Sequence, residues 1–392
     1  MEEAHSGTAR RYTRLLDAEE ALRAGVERWA DEELRPRVAG MDRAARMPRE
    51  LIDELFALGV MGIQIPARQG GRGGSLFMSA LAIAELARVD PSVAVCVDVQ
   101  NVLVDNALLR WGSPAQQERY LPLLARELVG AYALSEPEAG SDAFALRTRA
   151  RRDGKDYLLS GRKVWITNAR EAGLFVVFAN AAPEHGAHGI TAFLVPRDTP
   201  GLTVGPSQDK LGIRASSACE LRFEDARVSR DDLLGEEGDG YDIAVDTLNL
   251  GRVGIGAQMV GLATGALEAA AGYAKQRRQF GQPIADFQGV QLPLGRLAAE
   301  LEAARLLVYD TARLADSGRY VPELLARSAM AKYVAAQVAE RAASQAVQTF
   351  GGNGYSTAHP VEKFHRDALI GQIYEGTSNI LLRTIARTVL LD

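Results

Sequence analysis

The stretch Leu174-Phe175-Val176-Val177-Phe178-Ala179 decides the fold class, because an uninterrupted apolar run rich in Val and Phe indicates a buried β-strand. Strand-like text recurs at residues 157–161, 191–195 and 220–223. The turn signals Asp153-Gly154 and Pro200-Gly201 separate these runs, and no long helical pattern lies between them. The segment therefore predicts an antiparallel β-sandwich or barrel and argues against a doubly wound βαβ domain.

Helical periodicity flanks this β segment on both sides. Residues 48–56 and 77–89 carry apolar positions at helical spacing, and a glycine-rich loop lies between them. Residues 287–316, 321–350 and 377–391 are rich in Ala, Leu and Arg, with breaks at Gly318 and at residues 351–354. We predict an α+β multidomain protein with an N-terminal α-helical domain (1–129), a middle antiparallel β-barrel or sandwich (130–241) and a C-terminal α-helical bundle (242–392).

Composition excludes several classes of function. The net charge of −5 argues against a general affinity for nucleic acid. Cys96 and Cys219 form no CxxC pair and the five histidines form no HExxH, so no metal site is expected. The first twenty residues contain no apolar signal region, and the longest uncharged run, residues 253–267, is too short to span a bilayer. These observations predict a soluble cytoplasmic protein.

The common nucleotide-binding fingerprints are missing. The chain contains no phosphate-binding loop of the G-x-x-x-x-G-K-[ST] type. The nearest approach to a Rossmann fingerprint, at residues 254–259, lacks the third glycine and does not follow a strand. A redox cofactor would therefore need another architecture.

Four polar motifs are each ambiguous alone. In residues 133–142, Ser135 and Ser141 could donate to a ligand and Gly140 permits close approach, although such text is more often a plain turn. Residues 165–168 place a Trp beside a hydroxyl, which suits either a flat ligand or a core. Residues 277–281 with Phe287-Gln288 could bind a pyrophosphate or could simply form a solvated helix end. Residues 348–355 end a helix in a loop open enough to contact a ligand.

One carboxylate stands out. The stretch Ile373-Tyr374-Glu375-Gly376-Thr377-Ser378-Asn379-Ile380 puts Glu375 just before a helix whose N-cap is Thr377 or Ser378, near unpaired backbone N–H groups. This setting suits a catalytic base or an ordinary helix-start acid. Glu136 and Glu138 are interpreted as loop acids, Asp142 as a cap or turn residue, and Arg366-Asp367 as a structural ion pair.

Taken together, these motifs resemble the acyl-CoA dehydrogenase family, in the family's order and over nearly all of residues 15–390. The text at residues 141–146, 210–217 and 251–255 is most similar to the short/branched-chain members. The resemblance implies the family's three-domain fold and noncovalent FAD, with electrons passing to an electron-transferring flavoprotein. It also implies a homotetramer.

The resemblance also implies a set of site residues. Leu134, Ser135 and Thr167 would contact the flavin ring beside Trp165, while Arg277 and Gln288, with residues 348–352 of a neighbouring subunit, would hold the pyrophosphate and adenosine. The complete cofactor set implied is Tyr132, Leu134, Ser135, Gly140, Ser141, Trp165, Ile166, Thr167, Arg277, Gln279, Phe280, Phe287, Gln288, Gln348, Thr349, Phe350, Gly351, Gly352, Thr377, Ser378 and Asn379. The substrate set is Ser141, Tyr241, Asn249, Arg252, Tyr374, Glu375 and Gly376, with Arg252 as the expected CoA contact.

By the same resemblance, Glu375 would remove the pro-R α-proton of an acyl thioester while the β-hydrogen leaves as hydride to flavin N5, giving a trans-2-enoyl thioester. Such a weak carbon acid demands a base whose pKa is raised by desolvation. Some family members carry the base just before the arginine that is Arg252 here, but this chain has Leu250-Gly251 there.

Alternatives remain at this point. The substrate could be an acyl group on a carrier protein or an unusual acyl-CoA in a biosynthetic pathway. An oxidase or monooxygenase that reacts with oxygen is disfavoured by the retained glutamate, and a DNA-associated relative is disfavoured by the acidic net charge. Acyl chain length stays open, with short or branched groups of about four to six carbons following from the resemblance.

Overall fold

A computed structural model describes residues 13–317 and 323–391 of the chain. The predicted helix break at Gly318 and the predicted helix start at residue 321 lie outside these residues. Seven α-helices form the N-terminal part: α1 (Asp17–Trp29), α2 (Val38–Ala44), α3 (Arg49–Ala57), α4 (Leu76–Ala87), α5 (Pro91–Asp98), α6 (Asn106–Trp111) and α7 (Pro114–Leu124).

A buried π-helical turn, Val99–Asp105, joins α5 to α6. A π turn disrupts the regular pairing of carbonyls, and here Asn106 Nδ2 donates to the carbonyl oxygens of Asn101 (3.1 Å) and Val102 (3.3 Å). Asn101 in turn accepts from the Ile63 N–H (2.8 Å) and donates to Val60 O (2.7 Å). These amides fix the segment that faces the long C-terminal helix described below.

The middle part is a single sheet of eight strands. They are β1 (Gly130–Ala133), β2 (Arg149–Asp153), β3 (Asp156–Thr167), β4 (Leu174–Asn180), β5 (Ile190–Pro196), β6 (Leu202–Ser207), β7 (Ala218–Val228) and β8 (Leu233–Leu234). The strand order is β6-β7-β3-β2-β4-β5-β8, with β1 pairing beside β4. Most pairs are antiparallel, but β1 pairs with β4 in parallel and β2 touches β4 in parallel at Arg149 and Asn180. The predicted antiparallel domain thus also contains parallel pairing, because the long loop and the β2–β3 hairpin supply the crossover that a parallel pair needs.

Strand β4 is buried on both faces. Leu174, Val176 and Phe178 pack into the core shared with the helices. Phe175 and Val177 point to the opposite face, into a second hydrophobic core formed by residues of the sheet part of the chain. Burial on both sides explains why this strand is an uninterrupted apolar run rather than an alternating one.

The C-terminal part is a bundle of long helices. It contains α8 (Gly240–Gln276), a two-stranded hairpin of β9 (Arg278–Gln279) and β10 (Gln282–Pro283), α9 (Gln288–Asp316), α10 (Leu324–Phe350), α11 (Val361–Ala368) and α12 (Ser378–Leu391). Helix α8 packs against α4, α9 and α10, so it runs through the centre of the helical core. Helix α8 and the stretch Pro91–Trp111 are long and apolar enough to cross a membrane, but they are mostly buried, as core helices are. The helical ends and central sheet confirm the predicted α+β fold class.

The predicted ion pair within Arg366-Asp367 is wrong. Neighbouring residues on a helix point in different directions and cannot face each other. Arg366 instead contacts Asp42 (2.8 Å), whereas Asp367 contacts Lys363 (2.6 Å) and accepts from the Ile213 N–H (2.6 Å). Both residues tie the C-terminal bundle to other parts of the chain.

Candidate active site

Glu375 lies in a left-handed turn between the end of the bundle and α12. Its φ is 51° and that of Gly376 is 93°. A positive φ is uncommon for a residue other than glycine and is held only where the surrounding structure enforces it. Thr377 Oγ1 accepts from the Ile380 N–H (3.4 Å), which confirms Thr377 as the N-cap of α12. The turn aims the Glu375 side chain back toward α8.

The carboxylate of Glu375 is held against Gly251 on α8. A Cβ atom on Gly251 would lie 2.8 Å from Glu375 Oε2 and 3.0 Å from Leu103 Cδ2, so a side chain there would displace the carboxylate. Oε2 is buried and has no hydrogen-bond partner among the described residues. Burial raises the pKa of Glu375 to about 7, against the opposing influence of Arg252 and Lys332. A carboxyl group with this pKa is suited to proton transfer near neutral pH.

Two cations flank the carboxylate. Arg252, on α8, donates from Nη1 to Asn249 Oδ1 (3.0 Å), and its Nε is buried with no partner among the described residues. Lys332, on α10, is fully buried and donates from Nζ to the Gly376 carbonyl (2.7 Å). Burial lowers the pKa of Lys332 to about 7, although Glu375 favours its charged form. Lys332 is not among the site residues predicted from the sequence.

Asp98, at the end of α5, was also missed. Its side chain is buried, and neither carboxylate oxygen has a hydrogen-bond partner among the described residues. A Cβ atom on Gly254, one turn of α8 beyond Gly251, would overlap its Oδ1. Burial raises the pKa of Asp98, and the charge of Glu375 adds to the rise. This acid therefore shares the α8 face on which the Glu375 carboxylate lies.

Tyrosine hydroxyls close the buried side of this region. Tyr374 donates to Gln258 Oε1, and the hydroxyls of Tyr132 and Thr247 are hydrogen-bonded to each other at 2.7 Å. Because its hydroxyl is engaged and its ring is buried, Tyr132 forms a wall between β1 and α8. Tyr132 was predicted to contact the cofactor, but its buried ring and its hydrogen-bonded hydroxyl limit such a contact.

A buried ion pair fixes the loop after β1. Lys163 Nζ donates to Glu136 Oε1 (2.7 Å) and to the Leu134 carbonyl (2.9 Å). Glu136 also accepts from the backbone N–H groups of Arg147 (2.6 Å) and Thr148 (3.1 Å). Burial lowers the pKa of Lys163 to about 8. Glu136 is a loop acid as predicted, but it is a buried structural one, whereas Glu138 is exposed.

The predicted flavin-ring residues differ in accessibility. Ser135 and Thr167 are half-buried, whereas Gly140 and Ser141 are exposed. Trp165 is 61% exposed and has a φ of 60°. Leu134 and Ile166 are buried, Leu134 in the core shared with the helices and Ile166 in the core formed by sheet residues.

The predicted pyrophosphate and adenosine residues lie at the other end of the bundle. Arg277, Gln279, Phe280 and Gln288 are exposed. Phe350 stacks on Tyr273 with ring centroids 4.0 Å apart, which brings the 348–352 segment to the same end. At about 1.5 Å per helical residue, Arg277 is about 39 Å along α8 from Gly251.

The structure thus brings together only part of the predicted cofactor set. The exposed motif that begins at Arg277 shares one end of the bundle with the 348–352 segment, far from Glu375. Because the separation along α8 is about 39 Å, the Arg277 motif does not lie beside Glu375 of the same chain.

The predicted substrate residues gather along the first half of α8. Asn249 and Arg252 share one turn near Glu375, and Tyr374 and Gly376 flank the base in sequence. Tyr241, at the start of α8, contacts the rings of Phe144 (4.5 Å between centroids) and His188 (5.7 Å). Ser141 is exposed in the loop that leads to Phe144.

Comparison with known proteins settles the family. Models of three acyl-CoA dehydrogenase domains match in succession: the N-terminal domain over residues 17–127, the middle domain over 131–226 and the C-terminal domain over 238–390. The chain belongs to the acyl-CoA dehydrogenase family. It is accordingly an oxidoreductase, and the sequence-based recognition is confirmed.

The curated relatives are similar to this chain over most of their length. A probable short/branched chain specific acyl-CoA dehydrogenase of Dictyostelium discoideum is 48% identical, covering 96% of this chain and 91% of the relative. The mitochondrial short/branched chain specific acyl-CoA dehydrogenase of Rattus norvegicus is 47% identical, covering 96% of this chain and 86% of the relative. This acyl-CoA dehydrogenase therefore has short/branched-chain homologues.

Solved structures agree. Butyryl-CoA dehydrogenase from Megasphaera elsdenii superimposes with a TM-score of 0.94 at 39% identity, covering 96% of this chain and 99% of that one. The prolyl acyl carrier protein oxidase AnaB superimposes with a TM-score of 0.92 at 32% identity, covering 96% and 100%. A glutaryl-CoA dehydrogenase from Mycobacterium smegmatis, solved in complex with FADH2, gives a TM-score of 0.90 at 32% identity over 96% of each chain.

Proposed function

We propose that this acyl-CoA dehydrogenase uses FAD to oxidise a short or branched-chain acyl-CoA to the trans-2-enoyl-CoA, with Glu375 as the base. The observation that carries the proposal is the buried Oε2 of Glu375, which has no hydrogen-bond partner among the described residues, together with a pKa of about 7 that suits a general base. The short/branched chain specific names of its relatives support the substrate class.

The residues around the turn suit a bound cofactor and substrate. Buried polar atoms that lack partners among the described residues gather there: Glu375 Oε2, Arg252 Nε, both carboxylate oxygens of Asp98 and Ser378 Oγ. Buried polar groups are normally hydrogen-bonded, so such a cluster is typical of a binding site whose ligand completes it. Leu134, Ser135, Thr167, Trp165 and the segment 377–379 would hold the flavin end of FAD. When bound, FAD would accept the hydride from the β-carbon.

In the proposed reaction Glu375 takes the α-proton of the thioester. The C–H electron pair at the α-carbon becomes the new double bond, and the β-hydrogen leaves with its own electron pair. Arg252 and Lys332 favour the ionised carboxylate, whereas burial keeps it basic enough to attack a weak carbon acid. Gly251 leaves the carboxylate free to swing toward the substrate, since the nearest helix position carries no side chain.

A second copy of the chain would complete the cofactor site. The Arg277 motif and the segment 348–352 would hold the pyrophosphate and adenosine of a cofactor whose flavin lies in the neighbouring copy. Large apolar side chains at this end support the proposal, because Phe280 is 93% exposed and Tyr355 is 92% exposed in the single chain. We propose a cytoplasmic homotetramer that passes electrons to an electron-transferring flavoprotein.

Anaerobic flavin bleaching against a panel of acyl-CoA thioesters tests the proposal. Glu375→Gln should slow bleaching at least about 100-fold, the usual contribution of a positioned general base. The matched control is Glu138→Gln, which removes an exposed loop acid and should bleach like the wild type. Wild-type bleaching should also fall as the pH drops through about 7, because the base becomes protonated. Bleaching of Glu375→Gln at the wild-type rate would overturn the assignment.

A carrier-protein thioester is the second candidate substrate. The TM-score of 0.92 to the prolyl acyl carrier protein oxidase supports a carrier-protein thioester as the alternative substrate. The same bleaching assay with matched CoA and carrier-protein thioesters separates the two. Activity with the carrier alone would exclude the CoA substrate, and rapid reoxidation of the reduced flavin by air would indicate an oxidase.

A further inference from the structure

We propose that Lys332 is a positioning residue for the base: its ammonium holds the left-handed turn that carries Glu375 and keeps the buried carboxylate ionised. This inference rests on the proposed function, because it requires Glu375 to be the base. It adds a residue outside the turn, 43 positions earlier in the chain on a different helix.

The environment of Lys332 is unusual among the buried lysines. Three lysines are buried in the described part of the chain, and two of them have carboxylate partners. Lys163 contacts Glu136 at 2.7 Å, and Lys363 contacts both Asp90 and Asp367. Lys332 forms no salt bridge within the described residues. A buried ammonium without a paired anion is costly, so its presence calls for another role.

The contact that Lys332 does make is with the turn itself. Its Nζ donates to the carbonyl of Gly376 at 2.7 Å, and Gly376 is the second of the two residues with positive φ. Because α10 is a long helix packed in the bundle, this bond ties a strained turn to a rigid element. The bond therefore holds the turn from which the Glu375 carboxylate reaches Gly251 on α8.

The charge of Lys332 acts on the same carboxylate. Arg252 from α8 also acts on Glu375. The other titratable groups near it are Asp98 from α5, Tyr132 from β1 and the adjacent Tyr374, whose pKa values are raised by burial and by the charge of Glu375. Only Arg252 and Lys332 favour the ionised carboxylate. Lys332 itself is influenced by Glu375 and Arg252. Loss of the ammonium would leave Arg252 alone, so the pKa of the base should rise further and less of it should be ionised at neutral pH.

Three substitutions separate holding the turn from supplying the charge. Lys332→Met removes both the hydrogen bond and the charge, whereas Lys332→Gln keeps an N–H donor without the charge. Lys332→Arg keeps the charge. Each is prepared as the flavin-loaded full-length protein, and flavin absorbance and melting temperature report whether the fold and cofactor are retained.

The measurement is the anaerobic bleaching rate with a saturating acyl-CoA between pH 6 and 9.5. For Lys332→Gln we expect the midpoint of the pH profile to rise by about one unit, with roughly a fivefold loss of rate at pH 7 that is largely recovered at pH 9. Lys332→Met should add a loss that high pH does not recover, and Lys332→Arg should keep the wild-type midpoint.

The outcomes distinguish this inference from the proposed function. An unchanged midpoint in Lys332→Gln, with Glu375→Gln inactive, would overturn the role of Lys332 and leave Glu375 as the base. If Lys332→Met does not retain flavin, the midpoint of Lys332→Gln alone decides. Wild-type bleaching by Glu375→Gln at all pH values would instead overturn the proposed function itself.

Discussion

At the scale of single residues, the site depends on a glycine, Gly251, which places no side chain against the Glu375 carboxylate. A methyl group on Gly251 would lie 2.8 Å from Glu375 Oε2, so Gly251→Ala must push the carboxylate away from its position. We expect bleaching to slow by about 100-fold, the cost of misplacing a reacting group by about 1 Å. Anaerobic bleaching with a saturating acyl-CoA measures it.

The same helix offers the control for this substitution. A Cβ atom on Gly272 meets nothing within 4 Å, so Gly272→Ala should keep full activity and gain up to about 1 kcal/mol of stability from the better helix former. Equal activity of the two variants would show that the carboxylate does not need its place against α8. Thermal unfolding confirms that both variants are folded.

The sequence alone indicates residues whose structural context is set by their immediate neighbours in the chain. Thr377 caps α12 because hydroxyl residues suit that position, and Glu375 stands out because it precedes the cap. Lys332 and Asp98 gave no such signal, because their neighbours come from distant parts of the chain. Lys332 does share a helical face with Ala329, Ala335 and Ala336, and a lysine on an apolar face was the one available hint.

At the scale of elements, the loop after β1 depends on a buried ion pair. Removal of one member of such a pair leaves the other buried without compensation, so Lys163→Met should lower the free energy of unfolding by about 3–5 kcal/mol. The Leu134 carbonyl also loses its donor, and flavin retention should fall with it. Urea unfolding and the flavin-to-protein absorbance ratio measure the two effects.

Two further variants isolate the charge at this pair. Lys155→Met changes an exposed lysine in the neighbouring β2–β3 turn and should leave both quantities unchanged. The double variant Lys163→Met with Glu136→Gln should recover part of the lost stability, because the unpaired carboxylate is gone. Identical unfolding of Lys163→Met and the wild type would show that the pair does not hold the loop.

Strand pairing shows where pattern reasoning stops at this scale. The run of residues 174–179 predicts a strand, and β4 is that strand, buried along its whole length. Its parallel partner β1 was not predicted, because apolar text specifies burial but not the direction of the neighbouring strand. That direction follows from the path of the chain through the intervening loop and hairpin.

At the scale of the whole molecule, the two halves of the predicted cofactor site lie about 39 Å apart along α8. The order of motifs in the sequence could not reveal this separation, because it depends on the length and packing of α8. If a neighbouring copy supplies the Arg277 end, Arg277→Ala and Glu375→Gln damage different halves of each site. Arg277→Ala should weaken FAD binding about tenfold or more by loss of a charge-assisted contact to the pyrophosphate.

Mixed assemblies of these two variants test the shared site. Each variant alone should bleach slowly, since Glu375→Gln lacks the base and Arg277→Ala loads little FAD. In co-assembled protein, sites that combine the intact Glu375 of one copy with the intact Arg277 of its neighbour should restore about a quarter of the wild-type bleaching amplitude, for random pairing in a symmetric oligomer. Mixing the preformed, separately purified variants is the control, and it should restore nothing until the subunits exchange. If one copy builds each site alone, every site in the mixture carries one of the two lesions, and co-assembly gains no amplitude over the Arg277→Ala variant.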